Sequence, residues 1–289
     1  MLVILKRMSA SSKPESEATP RPLDEPAATG DPRLDAFSRL LAIIDRLRAP
    51  DGCPWDLEQT VSSMAPSLIE EAFEAVEAIE AGDEEGTVEE LGDLLLVVTL
   101  IARIAQDEGR FDLERAARAV GDKLIRRHPH VFGEVQVDGS QAAIANWEKI
   151  KQAERKDKAQ DASALAGVPK ALPALQRAQR LAAKAVAAGF RWDDAAGARA
   201  KLEEEVGELQ AALASGDARA IEAELGDVLL AGAFLGHYLD VDPERATREA
   251  LRRFEGRFRS MEAELGGSLR ERSLDELVAA WEDAKKRMG

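Results

Sequence analysis

The sequence predicts an all-α protein built from two tandem copies of one helical unit. Ala, Leu, Glu, Arg and Lys dominate the composition, and aromatic residues are only 4% of the chain, a balance that favours helices. One acidic pattern occurs twice with the same internal spacing, and each acid of the first copy maps onto its partner by adding 134. A length of 289 residues leaves room for two domains of ordinary size, in agreement with the repeat.

The chain is predicted to begin with a disordered leader, because residues 1–32 are rich in Ser, Pro, Glu and Ala and lack periodicity. A first domain over 33–156, a linker over 157–169 and a second domain over 170–289 follow. In the first domain, helical periodicity begins near Leu34 and stops at the breaker cluster Ala49-Pro50-Asp51-Gly52. The remaining helices of this domain are predicted over 67–81, 88–106, 113–127 and 141–158.

The second domain repeats this order of elements, with helices predicted over 199–214, 218–238, 243–264 and 274–287. The Trp192-Asp193 pair corresponds to Trp55-Asp56 in the first copy. Trp281 lies 134 residues after Trp147, so the repeat extends to the final helix of each domain.

The repeated acids are the strongest functional signal in the sequence. The first set is Glu70, Glu71, Glu74, Glu90 and Asp93, and the second is Glu204, Glu205, Glu208, Glu224 and Asp227. In each set the last two acids lie inside an apolar run, so they are expected to face a packed surface. Burying an unpaired carboxylate costs several kcal/mol, and acids four residues apart repel each other on a helix.

A bound cation would explain why such acids recur twice. Carboxylates without His or Cys suit a hard cation with oxygen ligands, Mg²⁺ first and Mn²⁺ as a substitute. The alternative is a solvated helix face or a structural acid cluster, because 54 of the 289 residues are Asp or Glu.

Basic and aromatic residues recur near the end of each copy. Lys123 and Arg127 share one helix face at a spacing of four, as do Arg253 and Arg257. Such pairs can hold phosphate oxygens, although many are only solvated charges. The indole of Trp281 could stack on a nucleobase or simply pack within its domain.

Composition excludes several other classes of function. A net charge of −15 argues against a general nucleic-acid binder, which needs a basic face. The three histidines form no E-x-x-H pattern, which disfavours zinc proteases and di-iron bundles. Cys53 is the only cysteine, and neither a signal-peptide core nor a membrane-length apolar run is present, so we expect a cytoplasmic protein with no membrane partner.

The sequence resembles the MazG family over about residues 34–288. The resemblance is carried by both acidic sets, by Gly52-Cys53-Pro54-Trp55-Asp56 with Glu58-Gln59-Thr60, by Lys123-Leu124-Ile125-Arg126-Arg127-His128-Pro129-His130-Val131-Phe132 and by Ala171-Leu172-Pro173-Ala174-Leu175-Gln176-Arg177-Ala178. It implies tandem four-helix-bundle-like all-α domains that dimerise. It also implies a Mg²⁺-dependent nucleoside triphosphate pyrophosphohydrolase, which releases a nucleoside monophosphate and pyrophosphate.

Carried onto this chain, the resemblance assigns roles to individual residues. The implied metal ligands are Glu71, Glu74, Glu90 and Asp93 in the first copy and Glu205, Glu208, Glu224 and Asp227 in the second. The implied nucleotide contacts are Lys201, Arg253, Arg257 and Trp281, with Lys123 and Arg127 as their first-copy counterparts. Ser67 replaces Lys201 in the first copy, so the second copy is the better candidate for the active one.

The attacking water needs a group that orients or deprotonates it, and we assign this role to Glu204, or to Glu70 in the first copy. Broad tolerance of the base is expected, because stacking on Trp281 does not distinguish bases. Two alternatives remain: a narrow dUTP- or dCTP-directed pyrophosphatase, and a non-catalytic helical interaction protein.

Overall fold

The computed structural model describes residues 23–157, 161, 163–266 and 269–288. Every regular element within these ranges is a helix, which confirms the predicted all-α class. The chain divides into two compact units between Lys151 and Gln152. The predicted domain boundaries and linker stay predictions.

The first unit contains helices α1 to α6 and most of α7. Their bounds are α1 Pro32–Leu47, α2 Pro54–Glu58, α3 Ala65–Ala81, α4 Glu84–Asp107, α5 Leu113–Arg127, α6 Pro129–Phe132 and α7 Gly139–Asp157. Residues 23–31 precede α1 without regular structure, and Asp31 caps α1 by accepting a hydrogen bond from the Arg33 backbone N–H at 2.9 Å. The rest of the predicted leader, residues 1–22, lies outside the described residues.

The second unit repeats the central pair of helices with its own flanking helices. The bounds are α8 Ala174–Ala187, α9 Ala195–Ser215, α10 Ala218–Tyr238, α11 Pro243–Leu265 and α12 Leu274–Met288. Helix α8 packs on α10, where Ala178 and Ala182 of α8 and Ala231 and Ala233 of α10 are buried. Small residues at these positions allow the two helix backbones to approach closely.

A Gly-Asp turn builds the central hairpin of each unit. Gly82 ends α3 in the left-handed region at φ 69°, and the Asp83 carboxylate caps α4 by accepting from the Gly86 N–H at 3.0 Å. In the second unit Gly216 has φ 72°, and Asp217 caps α10 by accepting from the Arg219 N–H at 2.9 Å. Glycine adopts this conformation without the steric cost that a Cβ would bring, so each connection is short and the paired helices are antiparallel.

The core of the first unit lies at the end of α4 away from the turn. Its buried residues are Ile44, Met64, Val97, Leu100 and Ile104, with Trp55 packed against them. The guanidinium of Arg48 lies 2.7 Å from Asp107 and also donates to the Asp56 backbone carbonyl. These contacts tie the end of α1 to α2 and to the end of α4.

In the second unit, a hydrophobic core lies between α11 and α12, its last two helices. Met261, Ala280 and Ala284 are buried there, with Phe258, Leu265, Leu269 and Trp281 packed around them. No helix within the described residues has the length and apolarity needed to cross a membrane.

Candidate metal centre

Each helical hairpin brings acids from its two helices to the same level along the helix axes, so that they lie close together. In the first unit Glu71 lies on α3, before the Gly-Asp turn, and Glu90 and Asp93 lie on α4, after the turn. One carboxylate oxygen from each of these three residues lies within 4.8 Å of the other two. Glu205, Glu224 and Asp227 form the same arrangement on α9 and α10. We call these groups the first trio and the second trio.

The first trio contains the most deeply buried acid of the described residues. Glu71 is only 2% exposed, and its Oε2 has no hydrogen-bond partner among the described residues. Burial raises the pKa of Glu71, and the nearby charges of Asp93, Glu74 and Glu90 raise it further. Burial also raises the pKa of Glu90, with Glu74 and Asp93 contributing. Bringing these carboxylates together is unfavourable without a compensating positive charge.

The second trio is more open and already contacts a cation. Glu205 is buried, Glu224 is half-buried and Asp227 is exposed. The ammonium Nζ of Lys201 lies 2.8 Å from a Glu205 carboxylate oxygen and 2.7 Å from one of Glu204. These two hydrogen bonds raise the pKa of Lys201.

The expectation that the late acids face a packed surface is wrong for Asp227, which is exposed. The buried residues of α10 are Ala231, Ala233 and Gly236, all nearer its end than the acids are. Glu90 and Asp93 are half-buried and likewise precede the buried part of α4. Both trios therefore lie at the margin of their cores, where a ligand can approach.

The predicted fourth ligands, Glu74 and Glu208, lie beside the trios without joining them. Neither belongs to a group of oxygens within 4.8 Å among the described residues. The charge of Glu205 is nevertheless the main cause of a raised pKa at Glu208, followed by burial. Glu74 has the corresponding effect on Glu71 and Glu90. These two acids are close enough to add charge to each site.

The two predicted general bases differ in environment. Glu204 is exposed and bonded to Lys201, whereas Glu70 is half-buried on α3. Each lies next in sequence to the buried member of its trio. Their role as bases stays a prediction.

One member of the basic pair of the first unit, Arg127, lies beside an indole. Lys123 and Arg127 occupy one face of α5, and the Arg127 guanidinium carbon is 5.4 Å from the ring centroid of Trp147 on α7. The Lys151 ammonium is 4.3 Å from the same centroid. Two cations therefore contact this ring, which is a favourable cation–π arrangement.

The corresponding residues of the second unit belong to α11 and α12. The Trp281 ring lies 5.3 Å from that of Phe254 and is part of the core between these helices. Arg253 is exposed, while Arg257 is half-buried. Packing thus accounts for much of the Trp281 environment, and its contact with a nucleobase stays a prediction.

Lys151 and its counterpart Lys285 were not predicted as site residues. Both follow their tryptophan by four residues, and the offset of 134 relates them. Lys151 contacts Glu148 at 3.2 Å, and Lys285 contacts Glu282 at 3.0 Å, so the repeat also preserves the ion pair. The shared Trp-Glu-x-x-Lys spacing was the available sequence signal.

The trios fit a divalent cation by their chemistry. Each offers three carboxylate groups, the ligands that hard cations prefer. The buried Oε2 of Glu71, which has no hydrogen-bond partner in the described part of the chain, can accept a positive partner. The acidic trios can therefore bind a metal ion.

A family model described as the MazG nucleotide pyrophosphohydrolase domain matches the chain twice, at residues 59–132 and 196–266. Each match contains one hairpin and one trio. The first match ends with α6, and the second ends just after α11.

Proteins with similar sequences carry related names. The nucleoside triphosphate pyrophosphohydrolase/pyrophosphatase MazG of Thermotoga maritima is 41% identical over 86% of this chain and 95% of its own length. The nucleoside triphosphate pyrophosphohydrolase of Escherichia coli K12 is 40% identical over 88% of this chain and 98% of its own. The crystal structure of a mazG-related protein from Thermotoga maritima, 32% identical, covers 40% of this chain and 98% of its own with a TM-score of 0.36.

Proposed function

The chain belongs to the MazG family, and we propose that it hydrolyses nucleoside triphosphates to monophosphates and pyrophosphate with Mg²⁺ as its metal. The observation that carries this proposal is the carboxylate trio, present once in each family-matched segment. The names of the relatives supply the reaction and substrate class.

The chain's own residues divide the work of binding and proton transfer. Glu205, Glu224 and Asp227, with Glu208 beside them, would hold Mg²⁺, as would Glu71, Glu90 and Asp93 with Glu74. When bound, Mg²⁺ neutralises phosphate oxygens and lowers the pKa of coordinated water. Glu204, or Glu70 in the first unit, accepts the proton of the attacking water.

Cationic side chains bind the negatively charged phosphate oxygens, which the carboxylates repel. Arg253 and Arg257 supply guanidinium donors for phosphate oxygens, and Lys201 supplies an ammonium next to the second trio. Lys123 and Arg127 have this role in the first unit. Trp281 would stack on the base without reading its identity, in line with broad base tolerance.

We propose further that the protein acts as a cytoplasmic homodimer that binds no nucleic acid. Support for a dimer comes from exposed apolar residues at equivalent places on the two hairpins. Leu91 and Leu95 on α4 are 48% and 42% exposed, and Leu225 and Leu229 on α10 are 49% and 55% exposed. A second copy would remove these side chains from water.

The proposal is tested by pyrophosphate release from a panel of ribo- and deoxyribonucleoside triphosphates. We expect pyrophosphate and monophosphate in equal amounts from many bases with Mg²⁺, and no release when EDTA removes the metal. Release from dUTP or dCTP alone would favour the narrow pyrophosphatase. A folded protein that releases nothing from the whole panel would contradict the proposal and favour the interaction-protein alternative.

A further inference from the structure

The two trios differ at one position that lies within reach of the metal. Lys201 is four residues before Glu205 on α9, and its ammonium contacts that carboxylate at 2.8 Å. The equivalent residue four positions before Glu71 on α3 is Ser67, which carries no charge. The second trio therefore holds a cation of the chain itself, at a place where the first has a hydroxyl.

The Lys201 ammonium and a metal ion would compete for the same carboxylate. Both are positive, and an ion coordinated by Glu205 would lie within a few ångströms of Nζ, where repulsion is strong even in a water-like environment. A metal ion can therefore bind at the second trio only if Lys201 leaves Glu205 or if binding outweighs the repulsion between the ion and the ammonium. Its side chain is 34% exposed, so the flexible stem has room to swing away.

Glu71 of the first trio has no lysine at the position equivalent to Lys201. Glu71 is 2% exposed and its Oε2 accepts no hydrogen bond within the described part of the chain. A buried carboxylate oxygen in this state gains from any cation that reaches it. Nothing at position 67 can supply that charge, since serine is neutral.

We propose that Lys201 is a positioning residue that acts as a resident counter-ion of the second trio, and that the two trios consequently bind divalent metal with unequal affinity when nucleotide is absent. The first trio is the tighter site. At the second, metal entry releases the Lys201 ammonium, which can then reach a phosphate oxygen. This inference rests on the proposed function, because it takes both trios as metal sites.

The test is a titration of the full chain with Mn²⁺ alone, in which free ion is followed by electron paramagnetic resonance and no nucleotide is present. The wild-type protein is expected to show two classes of site about tenfold apart, the size of effect that one charge has at this range. Asp93→Ala should remove the tighter class and Asp227→Ala the weaker one, which assigns each class to its trio.

A reciprocal exchange then isolates the lysine. Lys201→Ser should tighten the weaker class by about tenfold, and Ser67→Lys should weaken the tighter class to a similar extent. Arg199→Ser is the matched control, because Arg199 lies on the same helix and pairs with Glu203 at 2.6 Å, with both side chains exposed. That control should leave both classes unchanged.

The outcomes separate this inference from the function on which it rests. Two bound ions whose affinities do not respond to Lys201→Ser would overturn the inference and leave the metal sites intact. No bound Mn²⁺ in any variant would overturn both. Circular dichroism checks the fold of each variant, and the Lys201→Ser result decides alone if Ser67→Lys fails to fold.

Discussion

Glu71 shows at the scale of a single residue why we propose a cation at the first trio. Its carboxylate is buried in the margin of a core, one oxygen has no hydrogen-bond partner among the described residues, and three other acids raise its pKa. A group in this state destabilises the metal-free fold when it is ionised. The acid that the proposed metal site requires therefore lowers the free energy of unfolding of the metal-free protein, and this loss can be measured.

The pH dependence of that cost follows from the direction of the shift. Because the pKa of Glu71 is raised above its ordinary value of 4.5, the folded protein binds this proton more tightly than the unfolded chain does. The contribution to stability is fully present below about pH 4.5 and is lost as the pH rises through the raised pKa.

We therefore expect Glu71→Gln to stabilise the metal-free protein by about 1 kcal/mol at pH 8, because the amide keeps the shape without the charge. The gain should shrink as the pH falls toward 5. Denaturant unfolding in EDTA at several pH values measures it, with Glu77→Gln as the control on an exposed position of the same helix. A variant no more stable than the wild type at pH 8 would contradict this reading of Glu71.

At the scale of the element, the hairpin turn aligns the acids of each trio. A glycine with positive φ ends the first helix and an aspartate caps the second. The same residues occur at the same place in both units. The position of each acid along its helix is therefore set by the number of residues between it and the turn. An error in the turn would separate the two sides of the trio.

Gly82→Ala is expected to destabilise the protein by about 1 kcal/mol, because alanine is strained at φ 69°. Gly121→Ala is the opposing control, since this glycine lies inside α5 and an added Cβ there meets nothing within 4 Å. The control should stabilise by roughly 0.5–1 kcal/mol through helix propensity. Equal effects of the two substitutions on the midpoint of urea unfolding would show that the turn conformation does not matter.

Helix positions and the repeat could be predicted from the sequence, because periodicity, capping residues and Gly-Asp turns act locally. The exposure of Asp227 could not, because it depends on how far the core of α10 extends toward the acids. The contact of Arg127 with Trp147 could not be predicted for a similar reason, since α5 and α7 must approach each other before it forms. The Lys201–Glu205 ion pair is not among the predictions, because the family resemblance assigns Lys201 only to the nucleotide.

At the scale of the whole molecule, the chain repeats one unit while changing the surroundings of its acids. Exposed leucines also recur at equivalent positions on α4 and α10. In a protein with a net charge of −15, such apolar positions on the central hairpins favour burial against another copy.

The proposed dimer is tested by the double substitution Leu225→Glu with Leu229→Glu, which places charge on the exposed face of α10. We expect the sedimentation coefficient to fall toward that of a monomer, because burying these charges would cost more than the contact gains. Leu274→Glu is the control, since Leu274 is 74% exposed at the start of α12. A wild-type protein that already sediments as a monomer would exclude the dimer.

The most direct test of the central claim is Mg²⁺-dependent pyrophosphate release by Asp227→Ala and by the Asp93→Ala/Asp227→Ala double variant. We expect the single variant to lose about 100-fold or more of the turnover that the second trio supports, because a lost ligand weakens charge neutralisation at the reacting phosphate. The double variant should be inactive while keeping its helical circular dichroism spectrum. Unchanged turnover in both folded variants would contradict the assignment of the trios as the metal centres of this enzyme.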